Sequence, residues 1–168
     1  MPPRLAMSAG KYLVYATLLC IFAVFIWGAF LSGSGFGNAC GVGGKSLVSS
    51  DWPACNGSLW FPSNWPAQVE YIHRMLSILA TVLLLASNVA VWRTKPRPTA
   101  AAQILLFAFV LLLLEIYLGG AAINSNLNVV VGTVSLTTAT TVFGLLVLAA
   151  DRMHMLEKGH PSSPVPKP

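Results

Sequence analysis

The chain has 168 residues, of which 55% are hydrophobic and only 9% are charged. Soluble domains carry about 25% charged residues, so this composition and a mean hydropathy of +0.70 exclude an ordinary cytosolic or secreted domain. The formal net charge is +5, but the basic residues form no stripe or motif typical of nucleic-acid binding. We therefore predict an integral membrane protein with no nucleic-acid partner.

Four apolar segments are long enough to cross a hydrocarbon core of ~30 Å, which takes about 20 helical residues. They run over residues 12–31, 69–92, 101–121 and 127–150. The first segment is longer than the apolar part of a signal peptide and no small-residue cleavage site follows it, so we expect an uncleaved helix. Residues 151–168 are polar and proline-rich, which predicts a disordered cytoplasmic tail.

The positive charges predict the orientation of these helices. Arginine and lysine residues precede the first segment, separate the second from the third and follow the fourth, whereas the other two connections hold only Lys45. Both termini are then cytoplasmic, and the long loop 32–68 is external. Short connections place consecutive helices side by side. The sequence thus predicts an all-α membrane protein, an antiparallel bundle of four transmembrane helices in contact with membrane lipid.

The external loop contains several aromatic residues, including Trp52, Trp60, Phe61 and Trp65. Loops of this length are uncommon unless they have a function. Tryptophan is enriched at membrane interfaces, so these residues are either anchors at the bilayer surface or parts of a lid over a ligand. The sequence leaves both interpretations open.

The three cysteines divide between the loop and a helix. Cys40 and Cys55 lie in the external loop, where disulfides persist, and a bridge between them would stabilise the fold by ~3 kcal/mol in the chain-entropy model. The pair could instead be redox-active and pass electrons toward a quinone, although the usual C-x-x-C spacing is absent. Cys20 lies in the middle of a helix and is expected to be an inert apolar side chain.

A charged cluster, Glu70-Tyr71-Ile72-His73-Arg74, stands at the external end of the second segment. Spacings of three and four residues place Glu70, His73 and Arg74 on one helical face. Charged groups in a membrane helix are costly unless they have partners, so they are candidates for function. The alternatives are an Arg74 that extends outward to water, a solvated Glu70, and a His73 that is only a packing residue.

Two further polar residues are expected at a similar depth. Glu115 lies about eight residues, or ~12 Å, below the external end of the third helix, and Ser135 lies at a comparable depth in the fourth. Because nothing on its own helix neutralises Glu115, it must carry a proton or face a partner. The inner half offers almost no polar residue apart from Thr81 and Ser87. We therefore predict a site in the external half of the bundle.

Three stretches of the sequence resemble the heme A synthase family. The external loop carries Ser-Gly-Ser-Gly, a cysteine and Asp-Trp-Pro-Ala-Cys-Asn-Gly (residues 32–35, 40 and 51–57). The second segment carries Glu-x-x-His-Arg (70–74), and the third carries Glu-Ile-Tyr-Leu-Gly (115–119), which is similar to the family's Gln-x-x-Leu-Gly. The stretches occur in the family's order, and the combination of the first two is specific.

The resemblance implies an enzyme that oxidises the C8 methyl group of heme O to a formyl group, with heme b as cofactor. Successive oxygen-dependent hydroxylations of the methyl group would give a gem-diol that loses water to form the aldehyde. The product, heme A, serves terminal oxidases. The family is usually built from two similar four-helix halves, so a chain with one half is expected to form a homo-oligomer. Heme O synthase is a further partner that the resemblance implies.

The resemblance also implies roles for particular residues. His73 would be an axial ligand of the heme iron, and Glu70 would be the catalytic acid beside it. Cys40 and Cys55 would form the external disulfide next to the site. The residues expected to contact the cofactor are His73, Arg74, Glu115 and Ser135.

The sequence departs from the family at two of these positions. A second histidine, in a His-Leu-x-x-Ala setting, is replaced by Ser135, and the usual glutamine is replaced by Glu115. Either the heme has a single axial ligand, or His73 residues of two subunits cooperate, or Glu115 supplies the missing contact. Two other functions stay open: a non-catalytic membrane protein that binds heme b, and a thiol oxidoreductase that uses Cys40 and Cys55.

Overall fold

The computed structural model describes residues 3–41, 53–95, 97–125 and 128–158. Within these residues the chain forms four long helices, α1 (Pro3–Ser34), α2 (Trp65–Arg93), α3 (Thr99–Asn124) and α4 (Val129–Glu157), and a single 3-10 turn at Phe36–Asn38. All four helices are long and apolar enough to span a membrane. The prediction of an all-α membrane protein with four spanning helices is therefore confirmed.

Local capping explains where α2 and α4 begin. The side chain of Asn64 accepts a hydrogen bond from the backbone N–H of Ala67, and Pro66 occupies the first turn, so α2 starts at Trp65 rather than at the predicted residue 69. The side chain of Asn128 accepts from the backbone N–H of Val130 at 2.9 Å and begins α4 in the same way. Asparagine caps of this kind satisfy backbone donors that the helix itself leaves unpaired.

The outer helices extend beyond the predicted spans. Helix α1 begins at Pro3 instead of residue 12, and α4 continues to Glu157 instead of ending at residue 150. The prediction of a disordered tail is therefore wrong for residues 151–157. Met153 is only 2% exposed, and its methyl group lies close to Gly10 of α1, so burial of this side chain holds the last turns of α4 in the bundle. Residues 159–168 lie outside the described residues.

The bundle consists of two helix pairs. Helix α1 packs most extensively on α2 and α3 on α4, while the contacts between the two pairs are smaller. The pairs meet in the half of the bundle that holds both chain termini and the α2–α3 connection, which we call the terminal half. Its core is made of buried aliphatic residues, among them Val14, Leu84, Leu105 and Leu146. We call the opposite half, which carries the long loop, the loop half.

The terminal half contains polar contacts that the sequence interpretation missed. The hydroxyl groups of Thr17 and Ser87 are 3.0 Å apart and link α1 to α2. The amide nitrogen of Asn88 donates to the carbonyl oxygens of Leu84 and, across the bundle, of Leu105. The expectation that Thr81 and Ser87 are nearly the only polar residues here is therefore incomplete. Hydrogen bonds between membrane helices contribute ~0.6 kcal/mol each on average, so these contacts fasten α1, α2 and α3.

Candidate functional site

A cavity of about 860 Å³ lies between the two helix pairs in the loop half. Its volume falls within the range of pockets that hold small molecules and cofactors, roughly 300–1,000 Å³. Its lining is mainly apolar, with residues from all four helices, and includes Gly28 of α1, His73 of α2, Glu115 of α3 and Ser135 of α4. The polar residues that the sequence predicted at one depth therefore surround a common space.

The imidazole of His73 is fitted closely against α1. A Cβ atom added to Gly28 would lie 3.1 Å from Cε1 of the imidazole, so the missing side chain leaves room for the ring. The Nδ1 atom of His73 is buried and has no hydrogen-bond partner among the described residues. An unpaired buried polar atom costs about 1–3 kcal/mol. The imidazole ring of His73 lines the cavity, which suits a ligand position.

Glu70 and Arg74 are both buried, at 1% and 4% exposure. The carboxylate of Glu70 accepts a hydrogen bond from the backbone N–H of Cys40 at 2.7 Å through Oε2, and its Oε1 pairs with Nη2 of Arg74. The guanidinium of Arg74 also donates to the carbonyl oxygen of Ala54. The alternatives of an outward-pointing Arg74 and a solvated Glu70 are therefore wrong, because both side chains point into the protein and bind the loop.

The structure joins Cys40 and Cys55 in a disulfide. Both cysteines are buried and pack on Ala67 in the first turns of α2. Because Glu70 binds the backbone of Cys40 and Arg74 binds that of Ala54, the ion pair holds the loop on both sides of the disulfide. Thiol–disulfide exchange requires access to a sulfur atom, so burial disfavours the thiol oxidoreductase.

Glu115 and Ser135 form a direct contact between α3 and α4. The hydroxyl of Ser135 donates to Oε1 of Glu115 at 2.6 Å. The other carboxyl oxygen, Oε2, is buried, and no described residue is hydrogen-bonded to it. The neighbouring threonines behave differently, since the hydroxyls of Thr133, Thr137 and Thr138 donate to carbonyl oxygens four residues earlier on α4. Ser135 is thus directed toward α3 and the cavity.

The aromatic residues of the loop do not line the cavity where the structure describes them. Trp60 is 86% exposed, and Phe61 and Trp65 are also largely exposed. Phe61 packs edge-on against Tyr71, with ring centroids 6.0 Å apart. This arrangement supports anchoring at the membrane surface rather than a lid. Trp52 lies outside the described residues.

The sequence interpretation missed Gly28 as a residue of the site. Its signal was the one glycine of the predicted apolar segment 12–31, since a glycine within a helical pattern often has a packing or functional reason. The partner of that approach is His73, which lies far away in sequence. Among the described residues no group of three histidine, cysteine or acidic side chains could hold a bare metal ion.

A sequence model of the COX15-CtaA family, described as "Cytochrome oxidase assembly protein", matches residues 2–147. The chain belongs to this family. With its four apolar helices, it is a multi-pass membrane protein. No solved structure matches the chain.

Curated relatives named "Heme A synthase" are similar to the chain. Those from Geobacillus kaustophilus and Symbiobacterium thermophilum are each 30% identical, over 67% and 70% of the chain and 33% and 36% of their own lengths. One from Bacillus pumilus is 28% identical over 84% of the chain and 44% of its own length. The chain thus spans less than half of these relatives. The predicted resemblance to heme A synthases is confirmed.

Proposed function

We propose that this protein is a heme A synthase, an oxidoreductase that converts the C8 methyl group of heme O to a formyl group. The observation that carries this proposal is the His73 imidazole, which lines a large apolar cavity and whose buried Nδ1 atom has no hydrogen-bond partner among the described residues. Membership of the COX15-CtaA family and similarity to proteins named "Heme A synthase" support the choice of substrate.

Heme b is the cofactor we propose for this cavity. The residues present fit it, because the site combines apolar walls, an imidazole whose Nδ1 atom has no hydrogen-bond partner among the described residues, and a glycine that admits the ring of His73. His73 would be the axial ligand, while Arg74, Glu115 and Ser135 line the same cavity as polar groups. When bound, the heme would supply the oxygen chemistry that methyl oxidation needs. The protein would hold the substrate and exclude water.

The contacts of Glu70 support a positioning role, and its role as catalytic acid stays a prediction. Both of its carboxyl oxygens are engaged, one by Cys40 and one by Arg74. Since Glu70 is one helical turn from His73, these contacts fix the start of α2 against the disulfide loop. The imidazole is thereby held in place from the loop side and by Gly28 from α1.

We also propose a homo-oligomer, because the histidine that the family pattern predicts in the fourth helix is replaced by Ser135 and a second copy would supply the missing contact. The distribution of positive charges supports cytoplasmic termini and a loop half on the external side of the cell membrane. Heme O synthase, as the source of the substrate, stays a prediction as a partner.

Heme analysis tests the activity. The chain is co-expressed with a heme O source in cells that lack heme A, and the extracted hemes are separated. We expect heme A or a hydroxylated precursor with the parent protein and with His154→Ala, and neither product with His73→Ala. His154 is a matched control because it lies at the end of α4 in the terminal half and does not line the cavity. Equal products from parent and His73→Ala would contradict the proposal.

A membrane heme-binding protein without catalysis is the second candidate. The observation that favours it is Ser135, whose hydroxyl binds Glu115 where the family pattern predicts a histidine. This candidate predicts that the purified protein has a Soret band that depends on His73. It also predicts that the cells in the previous experiment contain heme O alone.

A further inference from the structure

The polar groups of the cavity stand on two different walls. His73 belongs to α2, which packs on α1, whereas Glu115 and Ser135 belong to α3 and α4, which pack on each other. The cavity separates these two helix pairs. A ligand inserted between them would therefore meet an imidazole on one side and a carboxyl group on the other.

On the α3/α4 wall, one carboxyl oxygen of Glu115 has no hydrogen-bond partner among the described residues. Ser135 contributes its hydroxyl proton to Oε1 of Glu115, which fixes the orientation of the carboxyl group. Its Oε2 atom is buried and no described residue is hydrogen-bonded to it. The lining of the cavity also includes apolar residues of α3 and α4 such as Leu112, Leu136 and Val142. Buried polar atoms in proteins are nearly always paired, so this oxygen requires a partner that the ligand brings.

We propose that Glu115, positioned by Ser135, binds a hydroxyl group of the ligand in the cavity, opposite His73. The inference rests on the proposed function, since it concerns the same cavity. A hydroxyl both donates and accepts hydrogen bonds, so it complements Oε2 whether or not the carboxyl group carries its proton. An acidic substituent is a poor match when Glu115 is ionised, because two carboxylates in a medium of low dielectric repel each other. Glu115 thus selects a neutral, hydroxyl-bearing edge of the ligand and turns acidic substituents away from the α3/α4 wall.

Two sources provide such a hydroxyl: an alcohol substituent on the porphyrin, which heme b lacks and a substrate heme would carry, and a water molecule held between Glu115 and a bound heme b. Both sources form the hydrogen bond to Glu115. They differ in whether the affinity of the protein for a porphyrin depends on the substituents of the ring. With an alcohol, the affinity depends on the porphyrin substituent. With a water molecule, the affinity does not depend on the porphyrin substituent, and the ferric absorption spectrum depends on Glu115 instead.

Two iron porphyrins that differ in hydroxyl content test the proposal. Purified full-length protein is titrated with iron mesoporphyrin, which carries two ethyl groups, and with iron hematoporphyrin, which carries 1-hydroxyethyl groups at the same ring positions. If the source is an alcohol, the parent binds the hydroxylated ring about ten-fold more tightly, the effect of one buried hydrogen bond to a charged group. Glu115→Leu abolishes that preference. If the source is water, the parent binds both rings equally, and Glu115→Leu shifts the ferric absorption bands of both.

Further variants separate a specific role from a structural one. Glu115→Gln retains a carbonyl acceptor and is expected to keep part of the preference or spectrum. Ser135→Ala leaves the carboxyl group without its positioning bond and is expected to give an intermediate effect. Thr137→Val is the matched control on α4, because its hydroxyl bonds only its own helix, and it should behave as the parent. If Glu115→Leu loses the His73-dependent Soret band through misfolding, Ser135→Ala decides the question.

The outcomes distinguish this inference from the proposed function. A parent protein with no Soret band for either ring overturns both proposals. If both rings bind through His73, while Glu115→Leu and Ser135→Ala retain the affinities and spectra of the parent, the inference is wrong and the proposed function stands. The inference is supported if the ten-fold preference for the hydroxylated porphyrin depends on Glu115, or if the ferric absorption spectrum depends on Glu115.

Discussion

The two halves of the bundle differ in what surrounds their buried polar groups. In the terminal half, Thr17 pairs with Ser87 and the amide nitrogen of Asn88 bonds two carbonyl oxygens, so polar atoms connect one helix to another. Both halves hold buried polar atoms without a partner among the described residues, but those of Asn88 and His154 in the terminal half lie outside the cavity, whereas His73 and Glu115 line it. The terminal half is closed by packing, and the loop half is prepared for a ligand.

This difference shows how polar residues in membrane helices can be interpreted. Their presence alone does not indicate a site, because Asn88 is as polar as His73 and lies in a packed core, outside the cavity. The useful distinction is whether the side chain that carries a buried polar atom lines a cavity, and whether the neighbouring side chains leave that cavity unfilled. Gly28 and the Glu70–Arg74 pair are arranged in that way around His73.

The largest effect on stability is expected from Arg74→Met in the loop half. The substitution leaves Glu70 buried without its cationic partner, which costs about 3–5 kcal/mol. We expect a much lower unfolding temperature in detergent and a weaker Soret band, because the loop and the start of α2 lose their connection. Lys158→Met removes an exposed charge at the end of α4 and should leave both values unchanged. Similar unfolding temperatures for both variants would show that the ion pair does not hold the loop.

A smaller effect, specific to the ligand, is expected from Gly28→Ala. The new Cβ atom would lie 3.1 Å from Cε1 of His73, so the imidazole must shift, and overpacking of this kind costs ~1 kcal/mol or more. The affinity for an iron porphyrin should fall about five-fold. Gly33→Ala is the matched control, since nothing lies within 4 Å of its Cβ position on the same helix. If Gly28→Ala and Gly33→Ala had equal affinities in an absorption titration, the imidazole would not bind the porphyrin from its position against Gly28.

The smallest effect is expected from Thr17→Val in the terminal half. Loss of the bond to Ser87 should lower the free energy of unfolding by ~0.6 kcal/mol, as is usual for hydrogen bonds between membrane helices. The affinity for an iron porphyrin should be unchanged. A reduced affinity measured by the same titration would show that the two halves are coupled and would weaken the contrast between them.

The sequence predicted the helices well because about 20 consecutive apolar residues have few alternatives in a membrane. It predicted their ends poorly. The extension of α4 depends on the packing of Met153 beside Gly10, a contact between distant parts of the chain. The early start of α2 depends on the Asn64 cap, which a prediction based on apolar runs does not take into account.

The site, like the helices, could be predicted from the sequence only in part. Helix depth alone brought His73, Glu115 and Ser135 to one level, and the structure places all three around one cavity. Helical periodicity placed Glu70 on the face of His73 but did not reveal that its carboxylate binds the backbone of Cys40. That bond depends on how the loop folds back over α2, which no local pattern encodes.

We propose that His73 presents its imidazole to a heme in the loop half. The most direct test is the absorption spectrum of purified His73→Gly protein with an iron porphyrin, recorded with and without added imidazole. We predict that the parent has a Soret band typical of imidazole ligation, that His73→Gly loses it, and that free imidazole restores it by filling the space of the missing side chain. A band that is the same in His73→Gly and in the parent, without added imidazole, would contradict the claim.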